Sequence, residues 1–146
     1  MLSQTAEYAL RAMVCLADHH GDAMTNQALA EITRVPVGYL HKVMQQLARA
    51  GLVQSQRGLH GGFTLTAKPG DVTVLDVLNA VDPIERIHHC PLGLAAHGKN
   101  LCPLHRRLDE AAATIEKAFK DTSLADVLGE ETKSKPLCGG GKPAKV

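Results

Sequence analysis

The chain has no tryptophan and few other aromatics, only Tyr8, Tyr39, Phe63 and Phe119, so its core is expected to be aliphatic and helical. No apolar run approaches the roughly 20 residues that a membrane-spanning helix needs. The first residues, Met1 to Glu7, lack a basic region followed by an apolar core, so no export signal is expected and the protein is expected in the cytoplasm. In that reducing compartment Cys15, Cys90, Cys102 and Cys138 are expected as thiols or metal ligands rather than disulfides. A Ser-His-Asp set, a phosphate loop and paired acid–base carboxylates are also missing, which argues against an enzyme. What is present is an ordinary apolar fraction, 45% of 146 residues, enough for one compact domain or a small domain with an appended helix.

A second absence is local. Between Glu31 and Asp71 there is no acidic residue, while Arg34, Lys42, Arg49, Arg57 and Lys68 fall in the gap together with His41 and His60. Net charge is only +1, so positive charge is segregated rather than abundant. A polyanion touching this segment meets cations and no repulsion, which nucleic-acid binding requires. A locally basic solvated surface would look the same by charge alone.

Hydrophobic spacing orders the elements. Ala6, Leu10, Met13 and Ala17 predict a helix from about Gln4 to His19, ended by Gly21-Asp22. Thr25 is a candidate N-cap for a second helix with Ala28, Leu29 and Ile32 inward, broken by Pro36. Leu40, Val43, Met44 and Leu47 predict a third helix from Val37 to Ala50, stopped by Gly51. Leu52 to Gln56 and Phe63 to Thr66 read as a two-stranded ribbon with Gly58, Gly61 and Gly62 at its tip. Thr73 and Asp76 form a capping box for a fourth helix carrying Val74, Leu75, Val77, Leu78 and Val81. Patterning then lapses until Leu104, Leu108, Ala112, Ile115 and Phe119 mark a long helix, followed by a short capped one from Thr122 to Leu128. The expected divisions are residues 1–81, 82–103, 104–128 and a disordered polar tail, 129–146.

Helix, helix, turn, helix and ribbon make a winged helix-turn-helix, so the fold class is mainly α with a small β-wing and a long C-terminal helix. The third helix would read DNA, since Tyr39, His41, Lys42, Gln45, Gln46 and Arg49 point outward and can reach phosphates and base edges in the major groove. Arg57 would enter an adjacent minor groove, with His60 and Gly61 beside it at the tip. A small helical domain with a hairpin explains the glycines but not the missing acids.

The irregular segment from His88 to His105 holds half the histidines and half the cysteines. Thiolates and imidazoles select borderline metals and iron–sulfur clusters. Cys102 and His105 are three apart at a helix start and can aim at one point. Exposed histidines with small apolar cysteines, or a structural zinc, are the competing readings.

From Tyr8-Ala9-Leu10 through Leu47-Ala48-Arg49-Ala50-Gly51-Leu52-Val53 and Arg57-Gly58-Leu59-His60-Gly61-Gly62-Phe63 to Leu124-Ala125-Asp126-Val127-Leu128, the chain resembles the IscR/NsrR/CymR family of bacterial transcriptional regulators. The resemblance implies a homodimer joined through the long helix and a pseudo-palindromic DNA operator. It also implies a wing arginine in the minor groove and a base-choosing role at His41. Cluster-binding relatives use three loop cysteines plus a histidine or an N-terminal acid. Here Cys90, Cys102, His105 and Glu7 match, Glu7 reaching across the dimer, but the middle cysteine falls at Ala95-Ala96, next to His97. The expected cofactor is a 2Fe–2S cluster on Cys90 and Cys102, completed by two of His105, Glu7 and His97. The expected function is a repressor under redox, iron or nitric-oxide control through that cluster. A cluster-free repressor switched by thiol oxidation or a small molecule is the alternative, and an electron carrier or enzyme the lesser one.

Overall fold

The computed structural model describes residues 1–97 and 100–136; Cys138 and the rest of the tail from 137 onward lie outside them. Among the described residues six α-helices and one hairpin follow each other as α1 (Gln4–Asp18), α2 (Asn26–Thr33), α3 (Val37–Arg49), β1 (Val53–Gln56), β2 (Gly62–Leu65), α4 (Val74–Val81), α5 (Pro103–Lys120) and α6 (Leu124–Gly129). Among the described residues no helix is long and apolar enough to cross a membrane.

Side-chain oxygens of Ser3, Thr25, Thr73 and Ser123 accept hydrogen bonds from the first turns of α1, α2, α4 and α6. The Thr73–Asp76 box is complete in both directions, at 2.8 and 3.1 Å, so the shorter acid serves there. Helix α3 ends in a Schellman turn: Gly51, at φ +77°, donates to Ala48 O, and Leu52 N donates to Leu47 O. Leu52 N is taken by that bond and only its carbonyl pairs across, accepting from Thr66 N at 3.1 Å, and β1 begins at Val53, one residue later than the sequence suggests. β2 likewise shifts to Gly62, which pairs with Gln56.

The core forms where α1, α2 and α3 meet. Leu40, Val43, Met44 and Leu47 are fully buried against Met13, Leu16 and Leu29, as their spacing predicts. Cys15 is a packing residue, fully buried with its sulfur 4.0 Å from Met24 Sδ. A second cluster joins Ala6, Val74 and Leu78 to Phe119 near the end of α5. The α6 start is tied to the α4 start, with Val74 N donating to Thr122 O and Leu124 N to Val72 O. Helix α5 differs from the rest: none of its 18 residues is buried.

Candidate nucleic-acid interface and cysteine–histidine loop

The buried stripe of α3 leaves the opposite face to solvent. His41, Lys42, Gln45 and Arg49 are exposed there, beside an open hollow of about 450 Å³ lined by Thr5, Tyr39, Lys42, Gln45, Gln46 and Arg49. Tyr39 is less free than the sequence suggests. Its ring meets Tyr8 edge-on at 5.1 Å and its hydroxyl shares a 2.5 Å hydrogen bond with Thr5 Oγ1, so it braces α3 against α1. His41 lies between Asn26 Nδ2, at 3.3 Å from its Nδ1, and Gln45 Nε2, at 3.2 Å from its Nε2. Nothing in the sequence singles out Asn26, because the adjacent Thr25 accounts for the helix start.

At the wing tip Arg57, Leu59 and His60 are exposed, Leu59 at 96%. The two glycines there serve the protein's own backbone. A Cβ on Gly61 would lie 2.7 Å from Gln56 O, and one on Gly62 2.5 Å from the Met24 carbonyl. Gly62 also sits at φ +148°. Phe63 and Met24 exchange backbone hydrogen bonds of 2.7 and 2.9 Å, which fasten the wing to the segment between α1 and α2. Helix α3 and the wing are therefore positioned by one packed body.

The loop brings the cysteines and histidines together in two pairs. Cys90 Sγ is 3.4 Å from His97 Nδ1, and Cys102 Sγ is 3.2 Å from His105 Nδ1. Cys102 is the N-cap of α5, yet its sulfur makes no cap hydrogen bond and faces His105 instead. The Leu94 backbone amide, then the His97 ring and the Leu92 amide, hold the Cys90 thiol pKa down to about 7. Glu7 is engaged on its own helix with Arg11, at 2.9 Å. Among the described residues no three such side chains converge on a point that could hold a metal ion.

The donor chemistry nevertheless suits a cluster. With bonds of about 2.3 and 2.1 Å, a thiolate sulfur and an imidazole nitrogen on one tetrahedral metal sit roughly 3.6 Å apart. At 3.4 and 3.2 Å both pairs are close to that separation, which is equally that of a thiol–imidazole hydrogen bond. Two thiols and two imidazoles make four donors, the number a 2Fe–2S cluster takes.

The loop is held by contacts that spacing does not reveal. Arg86 forks onto Asp109 of α5, with Nε and Nη2 donating at 2.7 and 2.9 Å, while Nη1 donates to Glu116 at 3.0 Å. Ile87 N donates to the same Asp109 carboxylate at 2.9 Å. These bonds hold the Asp109 carboxyl far below the usual carboxylate range and strap the loop's entrance to α5.

Comparisons with known proteins agree with this architecture. A family model described as Rrf2, iron-dependent transcriptional regulator, matches residues 2–130. A protein of Aquifex aeolicus (strain VF5), provisionally named an HTH-type transcriptional regulator, is 29% identical over 136 residues, covering 91% of this chain and 94% of that one. Among solved structures, T. potens IscR superposes with a TM-score of 0.76 at 26% identity, covering 92% of this chain and 91% of that one. CymR, the global cysteine regulator of B. subtilis, gives 0.73 at 25% identity, covering 87% and 95%.

Proposed function

This chain belongs to the Rrf2 family of transcriptional regulators, and from that premise we propose that it is an operator-binding homodimeric repressor whose cysteine–histidine loop senses a signal through a 2Fe–2S cluster. The carrying observation is the outward face of α3, polar, cationic and free of acid, fixed in one body with the Arg57 wing. Residues 1–81 would bind DNA, 82–103 sense, and 104–128 join two subunits. Such a protein works in the cytoplasm beside the DNA it reads.

Dimerisation through α5 is supported by what α5 leaves uncovered. Leu104 is 63% and Leu108 50% exposed, and no residue of that helix is buried within the subunit. Joining two copies there would cover these side chains and set the separation of the two α3 helices. Operator affinity depends on that separation, so a pseudo-palindromic site is the matching DNA.

Cys90, Cys102, His97 and His105 would hold the cluster, which supplies a redox- and nitric-oxide-responsive centre when bound. Cys102 and His105 occupy the cap and first turn of α5. Cys90 follows the Arg86 strap, so what these four side chains hold bears on both ends of the loop. A shift of α5 then changes half-site spacing, and a coupling of about 1–3 kcal/mol suffices for regulation.

A cluster-free thiol switch is the second reading, favoured by the acidic Cys90 thiol and by the two cysteine–histidine pairs standing apart. Iron, acid-labile sulfide and visible absorption on protein purified without oxygen separate the two. Equal iron and sulfide with charge-transfer bands supports the cluster. A colourless protein that resists reconstitution, yet changes operator affinity reversibly with a thiol reductant, sinks it in favour of the thiol switch.

A further inference from the structure

The loop joining β1 to β2 runs from Arg57 to Gly61, and its geometry sorts its side chains by height. Arg57 leaves directly from the end of β1, whose last residue, Gln56, pairs with Gly62. Gly61 N donates to Gly58 O at 3.0 Å, closing a four-residue turn with Leu59 and His60 at its two central positions. Leu59 is 96% exposed, so folding gains nothing from its apolar side chain.

The tip is also thin and braced. Gly58 and Gly61 carry no side chain, and the Gln56 and Gly58 carbonyl oxygens lie 2.7 and 2.9 Å from where a Gly61 Cβ would go. Phe63 fastens the stem to Met24, so the turn is presented by an anchored ribbon. Around it the chain has no acidic residue from 32 to 70.

This combination matches one surface of DNA. The minor groove is about 6 Å wide and at A·T pairs its floor offers acceptors only. Its walls are sugar C–H groups, against which an apolar side chain can pack. At G·C pairs the guanine 2-amino group stands on the floor and needs an acceptor. Leucine has none, so covering that group leaves a buried donor unpaired. His60, beside it, has nitrogens that suit phosphate or water, whereas Leu59 gains only from apolar walls. Arg57, lower on the loop, supplies the cation that the potential of a narrow groove attracts.

We propose that Leu59 is a specificity-determining residue: at the tip of the wing it enters the minor groove, packs on the sugar walls and disfavours G·C pairs at that step. The proposal rests on the DNA-reading function proposed above and adds to it a filter that works by exclusion. Arg57 contributes affinity there through charge, and Leu59 contributes discrimination by lacking an acceptor.

The test uses the full-length protein and an operator isolated from a pool of random duplexes. Pairs in one half-site are changed singly from A·T to G·C and to I·C, whose hypoxanthine base is guanine without the 2-amino group. The wild-type protein should show a step at which G·C lowers affinity about tenfold and I·C restores it to within about twofold, as for an unsatisfied buried donor. Leu59→Ala should cut that G·C penalty to about twofold, with melting temperature and salt slope unchanged because neither a buried contact nor a charge is lost. Leu59→Asn, which brings an acceptor, should relax the penalty as well, and Leu59→Ile should keep it. A penalty that survives Leu59→Ala, one that I·C shares with G·C, or no penalised step at all overturns the role of Leu59 while leaving DNA reading intact. If the wild-type protein enriches no sequence from the pool, the DNA-reading function itself falls, and this filter with it.

Discussion

In α3 the four apolar side chains Leu40, Val43, Met44 and Leu47 are fully buried, whereas α5, 18 residues against 13, buries none of its own. Both helices carry an apolar stripe at helical spacing, so they look equivalent in sequence. The difference lies in whether the stripe finds its partner within the same chain. The half with α3 is a finished packing problem; the half with α5 and the loop is an unfinished one. Under the proposed function that asymmetry has a use, because the surface proposed to read DNA stays rigid while the part proposed to sense answers to something outside the subunit.

The sharpest way to break this comparison is to truncate one leucine in each helix. Leu47→Ala should cost about 2–5 kcal/mol of unfolding free energy in urea denaturation. Leu108→Ala should leave subunit folding within about 0.5 kcal/mol and instead weaken self-association in sedimentation experiments. Equal folding costs would mean that α5 belongs to the same core. Next in size, Arg57→Ala should lower operator affinity at least roughly tenfold and reduce the salt slope by about 1, as expected for a lost phosphate or minor-groove contact. An unchanged slope would remove the wing from the interface.

The loop should respond differently. Cys90→Ser and Cys102→Ser should change stability by no more than about 0.5 kcal/mol. Each should abolish the response of operator binding to signal, worth about 1–3 kcal/mol of coupling. If both variants still respond, sensing lies elsewhere.

The smallest effect concerns the Arg86 strap. Because the folded-state carboxyl of Asp109 titrates below its unfolded value, its contribution is present above about pH 4 and fades as pH falls below that. Asp109→Asn should flatten this acid limb, read as hydrogen-exchange protection of residues 85–90 against pH. The pair is partly exposed, so the change should be modest and confined to the loop and α5. A global loss of protection would show that the strap belongs to the finished half after all.

Local chemistry was legible and distant chemistry was not. The α3 stripe, the Thr73–Asp76 box and the Gly51 stop depend on residues within one or two turns, and periodicity reveals such relations. Cys102 and His105, three apart at a helix start, are also a local pair. The partners of Arg86 lie 23 and 30 residues away across an aperiodic loop, and nothing in the sequence links them. Cys90 and His97 meet only because the chain turns back between them. The Tyr39–Thr5 brace crosses 34 residues, so an outward position of α3 looked freer than it is. The wing-tip glycines mark close backbone approaches within the chain, Gln56 and Gly58 at Gly61 and Met24 at Gly62, which spacing alone does not reveal.

That last contact has a genetic consequence. Every glycine codon begins with two guanines, and altering either puts a side chain on residue 62 or ends the chain. A side chain there would meet the Met24 backbone at 2.5 Å with a strained φ. A screen for derepressed mutants should therefore return codon 62 repeatedly, although the contact it protects lies inside the protein rather than on DNA. Under the proposed function, heritable change in which genes the regulator controls is left to the outward positions of α3 and to residues such as Arg57, where substitution leaves the joint between wing and body intact.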